Sequence, residues 1–167
     1  MRITATRRLQ YAIGHRILKH ESKCRHLHGH NFVFFLTAEA FGHADSSGEP
    51  VLLDNLGRVI DFGVLKSKFD PWFSNYWDHG FVIFDEDHDA RAAMLRISDQ
   101  KFFELPYNPT AENLGRYILE NLGPALLAGT GVRLVRVQIF ETENGIAEVT
   151  LDGPPMTTTV TSDDVPF

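Results

Sequence analysis

His28 and His30, separated by a single glycine, have the clearest chemical meaning of any residues in this sequence. In a strand both side chains project from the same face, because successive residues alternate between the two faces. His15 ends an earlier alternating apolar run, and a neighbouring strand could bring it to the same point. Three histidines can bind Zn²⁺ and leave a fourth position for water or substrate, as in catalytic zinc sites. The simpler interpretation is that they are ordinary surface or core histidines.

Cys24, the single cysteine, lies four residues before His28 and between two basic residues, Lys23 and Arg25. Positive neighbours favour the thiolate form of cysteine, which is both nucleophilic and basic. The position therefore predicts a general base, but a thiolate is also a good Zn²⁺ ligand. The spacing fits either role, and a third interpretation is a small residue without a chemical role.

Three further residues carry groups that move or attract protons. Asp78 and His79 are adjacent, and histidine titrates near neutral pH, which suits a proton relay. The simpler interpretation of this pair is a turn with a surface histidine. Glu141 ends a row of apolar side chains on one face of a predicted strand. A buried carboxylate is costly unless it is paired, so we expect Glu141 to meet a donor such as the amino-heterocycle edge of a ligand, unless the strand end is solvated.

Length and composition predict one cytoplasmic domain. The 167 residues are 43% apolar, enough for one core without disulfides. A single cysteine, no signal-peptide pattern and no apolar run of membrane-spanning length all favour the cytosol. A net charge of −6 argues against non-specific nucleic-acid binding. The locally basic residues 7–25 are either a solvated face or a phosphate site.

The hydrophobic pattern predicts the element order strand, strand, helix, helix, strand, strand. The predicted strands are residues 3–15, 30–41, 132–142 and 146–151. The last two form a hairpin, because Asn144-Gly145 between them is a strong signal for a tight turn. Residues 42–58 are predicted to form an exposed loop or hairpin, and residues 153–167 a mobile extension.

Two helices are expected between these strands. Asp61 is the predicted N-cap of the first, and Pro71 should end or kink it. The second helix is expected to begin at Asn108-Pro109-Thr110, with the proline in its first position, and to run as far as Gly123.

Five separated motifs resemble, in order and spacing, the family of 6-pyruvoyl-tetrahydropterin synthases and 6-carboxytetrahydropterin synthases. They are His15, Cys24-x3-His28-Gly29-His30, Asp78-His79, Pro109-Thr110-Ala111-Glu112-Asn113 and Phe140-Glu141-Thr142. The resemblance covers roughly residues 3–152, which implies a domain at residues 1–152 and an extension at 153–167. It implies an α+β tunnelling fold (T-fold): a four-stranded antiparallel sheet with two helices on one face, in the order β-β-α-α-β-β.

The resemblance also implies roles for the first motifs. His15, His28 and His30 would bind Zn²⁺, and Cys24 would be the general base that removes a proton from the substrate side chain. On this view Cys24 is not a ligand of the metal.

The remaining motifs would complete the site. The resemblance implies that Asp78 and His79 form the proton relay, that Glu141 anchors the pterin ring and joins the catalytic set, and that Thr110 also contacts substrate. It further implies a homohexamer, a dimer of trimers, with active sites between subunits.

The spacing of Cys24 and His28 resembles the branch of the family that forms 6-carboxytetrahydropterin in queuosine and 7-deazapurine biosynthesis. The reaction implied is conversion of 7,8-dihydroneopterin triphosphate to 6-carboxy-5,6,7,8-tetrahydropterin, with loss of acetaldehyde and triphosphate. The alternatives are the pyruvoyl-forming activity and a non-catalytic zinc-binding T-fold protein. A zinc hydrolase is disfavoured because the sequence has no His-Glu-x-x-His arrangement. Gly80, the long loop at 42–58 and the C-terminal extension depart from the family pattern.

Overall fold

A mixed sheet of six strands is the centre of the fold in a computed structural model that describes residues 1–151. The strands are β1 (Ala5–His15), β2 (His28–Ala40), β3 (Gly80–Phe84), β4 (Phe102–Leu105), β5 (Val132–Phe140) and β6 (Ile146–Thr150). Their order across the sheet is β4-β3-β1-β2-β5-β6. The pairs β1/β2, β2/β5 and β5/β6 are antiparallel, whereas β3 pairs in parallel with both β1 and β4. The expected extension at 153–167 lies outside the described residues.

The two central strands bring the first motifs together. β1 and β2 pair along their lengths, which places His15 opposite His28 and Ile13 opposite His30. Directly paired residues project from the same face of an antiparallel sheet. The three histidines therefore lie on one face, at the end of the strands that residues 16–27 connect. The two predicted strands in this region are confirmed, although β2 already begins at His28.

The prediction of four antiparallel strands is wrong in both number and direction. β3 and β4 extend the sheet beyond β1, and the helix between them provides the crossover that parallel strands require. β3 has only five residues and β4 only four, which is too short for an alternating pattern to stand out. The predicted hairpin near the C-terminus is confirmed as β5 and β6.

Four α-helices accompany the sheet rather than the two that were expected. They are α1 (Phe62–Tyr76), α2 (His88–Arg96), α3 (Ala111–Tyr117) and α4 (Gly123–Leu127), and a π-helical segment, Ile118–Leu122, joins α3 to α4. The predicted N-cap of α1 is confirmed, since the Asp61 carboxylate accepts a hydrogen bond from the Gly63 amide at 2.7 Å. Within residues 1–151, no helix is long and apolar enough to cross a membrane.

Pro71 does not end the first helix, which was one of the two effects expected of it; the other was a kink. The helix continues to Tyr76 with Pro71 inside it. Pro71 and Ser67, whose carbonyl loses its helical partner, both lie on the exposed side, where water can bond that carbonyl. On the opposite side Phe69 and Phe73 are fully buried, so packing holds the helix together.

The second predicted helix also differs at both ends. Its N-cap is Thr110, whose hydroxyl accepts a hydrogen bond from the Asn113 amide at 3.3 Å. Pro109 therefore precedes the cap instead of occupying the first helical position. Gly123 and Pro124 do not terminate the segment, because Pro124 lies in the first turn of α4, where a missing amide hydrogen is tolerated.

The core fills the space between one face of the sheet and helices α1 and α3. Phe32 and Phe34 of β2 are fully buried there, and the ring of Tyr11 stacks on that of Phe73 with centroids 4.6 Å apart. The opposite face of β1 and β2 is different, since apart from the buried Thr37 its residues are exposed or half-buried in this chain. We call it the open face; its β1, β2 and β5 positions include Arg8, Gln10, Asn31, Val33, Phe35 and Phe140. Residues 42–58 form the expected loop, mostly exposed, with an isolated bridge between Ala44 and Pro50.

Candidate metal centre and catalytic site

Three histidines from β1 and β2 converge at the end of these strands. One nitrogen each from His15, His28 and His30 lies within 4.8 Å of the others. Gly29 between the two β2 histidines permits this approach, since a Cβ there would be only 3.0 Å from the carbonyl oxygen of Ile13. His15 is fully buried and the other two are half-buried, so the cluster is closed on one side and accessible on the other.

Backbone carbonyls orient two of the three rings. His15 Nδ1 lies 2.8 Å from the Pro109 carbonyl oxygen, and His28 Nδ1 lies 2.7 Å from that of His26. A carbonyl can only accept, so these contacts assign the proton to Nδ1 and leave the lone pair of each Nε2 free. Histidine ligands in metal sites are oriented by the same kind of outer contact.

The buried nitrogen of His15 supports a metal at this position. Among the described residues its Nε2 has no hydrogen-bond partner, because with the proton on Nδ1 it has nothing to donate to the Glu141 carboxylate 3.3 Å away. An unsatisfied buried polar atom costs free energy, unless something else binds it. A lone pair facing two further imidazoles fits a divalent cation, for which neutral imidazole is a common ligand.

The protonation state of His15 agrees with that role. The pKa of His15 is lowered to about 4, chiefly by burial; the hydrogen bond to Pro109 opposes this shift, and the neighbouring His28 and His30 add to it. His15 is therefore neutral at neutral pH. Neutral imidazole is the form that binds a metal.

Glu141 lies beside the histidine cluster. It follows Phe140, the last residue of β5, and its Oε1 is 3.3 Å from His15 Nε2 and 3.9 Å from His30 Nε2. Its side chain is 27% exposed. The carboxylate is therefore neither fully buried nor free in water, and it is available to a ligand next to the metal position.

Asp78 and His79 touch each other and are fixed on β1. His79 Nδ1 is 3.1 Å from one oxygen of Asp78, and the other oxygen accepts a hydrogen bond from the Ala12 amide at 2.9 Å. The backbone of His79 is left-handed, with φ of 56°, a conformation that non-glycine residues adopt infrequently and that recurs at functional sites. Its side chain is 81% exposed and lines a cleft of about 410 Å³ together with His28 and His30. The structure therefore brings this pair to the histidine cluster.

Cys24 lies apart from the three nitrogen atoms. It belongs to the short 3₁₀ turn Lys23–Arg25 and is half-buried. Within residues 1–151, the set of converging metal-ligand atoms contains the three histidines without the sulfur of Cys24. This arrangement favours the general-base interpretation over the ligand interpretation. The hydroxyl of Thr110, the expected substrate contact, caps α3 as described above.

Several residues that support the site were not predicted from the sequence. The Pro109 carbonyl orients His15, and the side chain of Asn108 holds Leu18 through both its backbone groups. From sequence, residues 108–110 indicated a helix start and a substrate contact at Thr110, but not the role of the Pro109 carbonyl, because a backbone acceptor has no side-chain signature. Arg16 and the buried Asp87 form a two-bond ion pair just after His15, and nothing in the local sequence links these two residues.

Three converging imidazoles, a neighbouring carboxylate and an Asp–His pair are side chains expected of a metal-dependent enzyme. Comparison with known proteins identifies the enzyme family. Residues 4–152 match the family described as 6-pyruvoyl tetrahydropterin synthase. The chain belongs to this family, and it is an enzyme of that family.

The similar proteins include synthases of both the 6-carboxy and the 6-pyruvoyl type. The chain is 31% identical to 6-carboxy-5,6,7,8-tetrahydropterin synthase of Rickettsia felis and 32% identical to that of Rickettsia bellii, in each case over 88% of this chain and 99% of the relative. Among solved structures, a 6-pyruvoyl tetrahydropterin synthase of Caenorhabditis elegans has a TM-score of 0.56 at 20% identity, covering 91% of this chain and 97% of the other. An uncharacterized protein of Wolinella succinogenes has a TM-score of 0.70 at 22% identity, covering 91% and 99%. These structures establish the fold.

Proposed function

We propose that this protein binds Zn²⁺ through His15, His28 and His30 and converts 7,8-dihydroneopterin triphosphate to 6-carboxy-5,6,7,8-tetrahydropterin. Acetaldehyde and triphosphate leave, and one water is consumed. The observation that carries the proposal is the buried, unpartnered Nε2 of His15 facing two further imidazoles. The names of the Rickettsia relatives support the carboxy-forming reaction.

The residues around the metal position divide the proposed reaction among them. Bound zinc supplies Lewis-acid chemistry, which lowers the pKa of substrate hydroxyl groups. Cys24 removes a proton from the substrate side chain. His79, held by Asp78, exchanges protons with the side-chain oxygen atoms from the exposed side of the cleft. Glu141, beside the histidine cluster, would accept hydrogen bonds from the amino-heterocycle edge of the pterin and so orient the substrate.

We also propose that the active enzyme is a homohexamer, built as a dimer of trimers, with active sites between subunits. Two features of the chain support assembly. The His79 side chain is 81% exposed although its backbone is anchored, and the open face presents half-buried apolar residues to the outside. The product is proposed to serve 7-deazapurine biosynthesis, of which queuosine is one end point.

A direct assay tests this function and separates the two reactions of the family. The purified, zinc-loaded protein is incubated with 7,8-dihydroneopterin triphosphate, and the products are identified by mass spectrometry together with an assay for acetaldehyde. We expect the 6-carboxy product and acetaldehyde in equal amounts. A pyruvoyl product with triphosphate but no acetaldehyde would assign the pyruvoyl-forming reaction instead. Absence of both pterin products would contradict the proposal and favour a non-catalytic zinc protein.

Cys24→Ala tests the role of the thiol within this assay. We expect the variant to keep its zinc, because the metal position is formed by histidines, and to lose turnover, because the base is gone. Zinc is measured by atomic emission on the same sample. Near-wild-type product formation by this variant would rule out Cys24 as the base, whereas loss of zinc would make it a ligand.

A further inference from the structure

The turn that precedes α3 holds the loop that carries Cys24. The loop comprises residues 16–25, from the end of β1 to the end of the 3₁₀ turn Lys23–Arg25. Leu18 in this loop is bound at both backbone groups by the Asn108 side chain: Asn108 Oδ1 accepts from the Leu18 amide at 2.7 Å, and Asn108 Nδ2 donates to the Leu18 carbonyl at 3.2 Å. The side-chain amide of Asn108 thus pairs with both backbone groups of Leu18, as the backbone of a neighbouring strand would do.

Cys24 is hydrogen-bonded to Ile17, the neighbour of Leu18. We call the two hydrogen bonds between the Asn108 side chain and Leu18 the clamp. The Ile17 amide donates to the Cys24 carbonyl oxygen at 2.7 Å, which closes the loop on itself. Lys19, on the other side of Leu18, has a left-handed backbone with φ of 65°. Such a conformation persists in a lysine only where surrounding contacts impose it. The clamp on Leu18 is such a contact.

The same turn also holds the metal position. Pro109, which follows Asn108, accepts from His15 Nδ1 at 2.8 Å. Asn108 is itself fixed, since its carbonyl accepts from the Asn113 side chain at 2.9 Å and from the Thr110 amide at 2.8 Å. One rigid turn at a helix start therefore determines both where the His15 ring points and where the loop with Cys24 runs.

We propose that Asn108 is a positioning residue that sets the place of the Cys24 thiol relative to the histidine cluster. It touches neither the metal position nor the thiol, and acts through Leu18 and Ile17. Its effect on turnover rests on the proposed function, but its effect on the loop does not. Because Cys24 is the only cysteine, the chemical reactivity of the whole protein toward thiol reagents reports on this one position.

Two measurements on the full-length, zinc-loaded protein test the loop without substrate. In Asn108→Ala, we expect the Leu18 amide to exchange with deuterium faster, and iodoacetamide to alkylate Cys24 about fivefold faster or more, because two hydrogen bonds no longer hold the loop. Asn108→Asp keeps the shorter of the two bonds and should give rates between those of Asn108→Ala and the wild type. Wild-type exchange and alkylation in Asn108→Ala would overturn the proposal.

Kinetics then separate positioning from general destabilisation. We expect Asn108→Ala to lower kcat by about tenfold to a hundredfold with little change in KM, since a misplaced base acts after binding. Thr130→Ala is a control for stability: it removes the bond from the Thr130 hydroxyl to the Leu127 carbonyl at the end of α4. Asn75→Ala, at an exposed position of α1, controls for the replacement of an asparagine by alanine away from the loop. Both controls should keep wild-type alkylation and kcat, and equal loss of kcat in Thr130→Ala would refute positioning.

The two proposals can fail separately. If the wild-type protein forms no pterin product, the proposed function fails, yet amide exchange and alkylation still decide whether Asn108 holds the loop. If the wild type turns over and Asn108→Ala matches it in kcat, alkylation and exchange, the proposed function stands and the positioning role of Asn108 is excluded.

Discussion

Each ligand candidate has a distinct local environment. His15 is fully buried, and its ring is held by the Pro109 carbonyl. The ring of His28 is held by the carbonyl of His26, two residues earlier. His30 Nε2 lies 3.9 Å from the Glu141 carboxylate. A buried nitrogen with no proton and no partner among the described residues is stabilised when it binds a cation. The chemistry of the cluster thus depends more on these backbone acceptors than on the spacing of the histidines.

Replacing His30 should remove the metal while leaving the fold intact. His30→Gln deletes one of three ligands at a half-buried position, and we expect zinc affinity to fall by more than about a hundredfold, since even outer contacts of metal ligands are worth ten- to a hundredfold. The zinc content after dialysis against a weak chelator measures this. His88→Gln, at the exposed start of α2, is the matched control and should retain zinc. Equal zinc in the two variants would show that His30 is not a ligand.

Glu141 should affect substrate affinity more than metal affinity. In Glu141→Gln the carboxylate that faces the cluster loses its charge, and hydrogen bonds to a charged acceptor contribute about 1.5 to 3 kcal/mol, so KM should rise by about tenfold or more. The zinc content should not change. Glu120→Gln, on the surface of the π-helical segment, provides the comparison. A Glu141→Gln enzyme with normal KM but no zinc would make this residue a metal ligand instead.

The elements show why some of these features could be predicted from sequence and others could not. β1 and β2 are long and alternate regularly, so the shared face of the three histidines follows from the chain itself. β3 and β4 are strands because they pair with β1 and with each other, and such long-range pairing leaves no local periodic signal. Pro71 does not end α1 for a related reason, since buried aromatic residues on the inner side of the helix outweigh one lost hydrogen bond.

The contacts that fix the site are also non-local. Asn108 and Leu18 are separated by 90 residues, and Asp78 binds the amide of Ala12 across 66 residues. The sequence shows that each residue is present but not which backbone group it meets. Only the fold brings the β4–α3 turn against the loop after β1, which explains why the chemical groups were predicted and their supports were not.

Tyr11 of β1 links the sheet to helix α1 that covers it, and the stability that this link provides should fall at alkaline pH. The Tyr11 hydroxyl donates to Asp70 at 2.7 Å. Burial raises the pKa of Tyr11 well above its usual value of 10.0, and the hydrogen bond to Asp70 raises it further. The folded state therefore holds this proton more tightly than the unfolded state. The resulting stability is fully present below pH 10 and is lost as pH rises above it.

Tyr11→Phe should reveal this dependence in urea unfolding. We expect the variant to be less stable by about 1.5 kcal/mol at pH 7, from loss of a hydrogen bond to a carboxylate. The difference from the wild type should shrink from pH 10 upward, because the variant has no proton to lose at this position. Tyr76→Phe, at a half-buried position of α1, should show no such convergence. A difference that stays constant from pH 7 to 11 would contradict the assignment.

At the scale of the whole molecule, the sheet has one face covered by helices and one open face. Half-buried apolar side chains on the open face, Val33, Phe35 and Phe140, line a cleft of about 510 Å³. The rings of Phe35 and Phe140 pack together across neighbouring strands at 5.5 Å. A contiguous apolar surface of this kind favours association. The three histidines of the candidate metal centre, by contrast, all belong to one chain, so the proposed metal binding and assembly are separable.

Phe35→Glu should therefore separate assembly from metal binding. A carboxylate buried in an interface costs several kcal/mol, so we expect the variant to sediment as a smaller species than the hexamer proposed for the wild type. Zinc content should remain, because the three histidines come from the same chain, whereas turnover should fall to background, because the proposed site lies between subunits. Leu95→Glu introduces the same charge at a site on α2 that is 66% exposed, and should change neither property. Full turnover by a dissociated Phe35→Glu variant would show that the active site does not need the contact made by the open face.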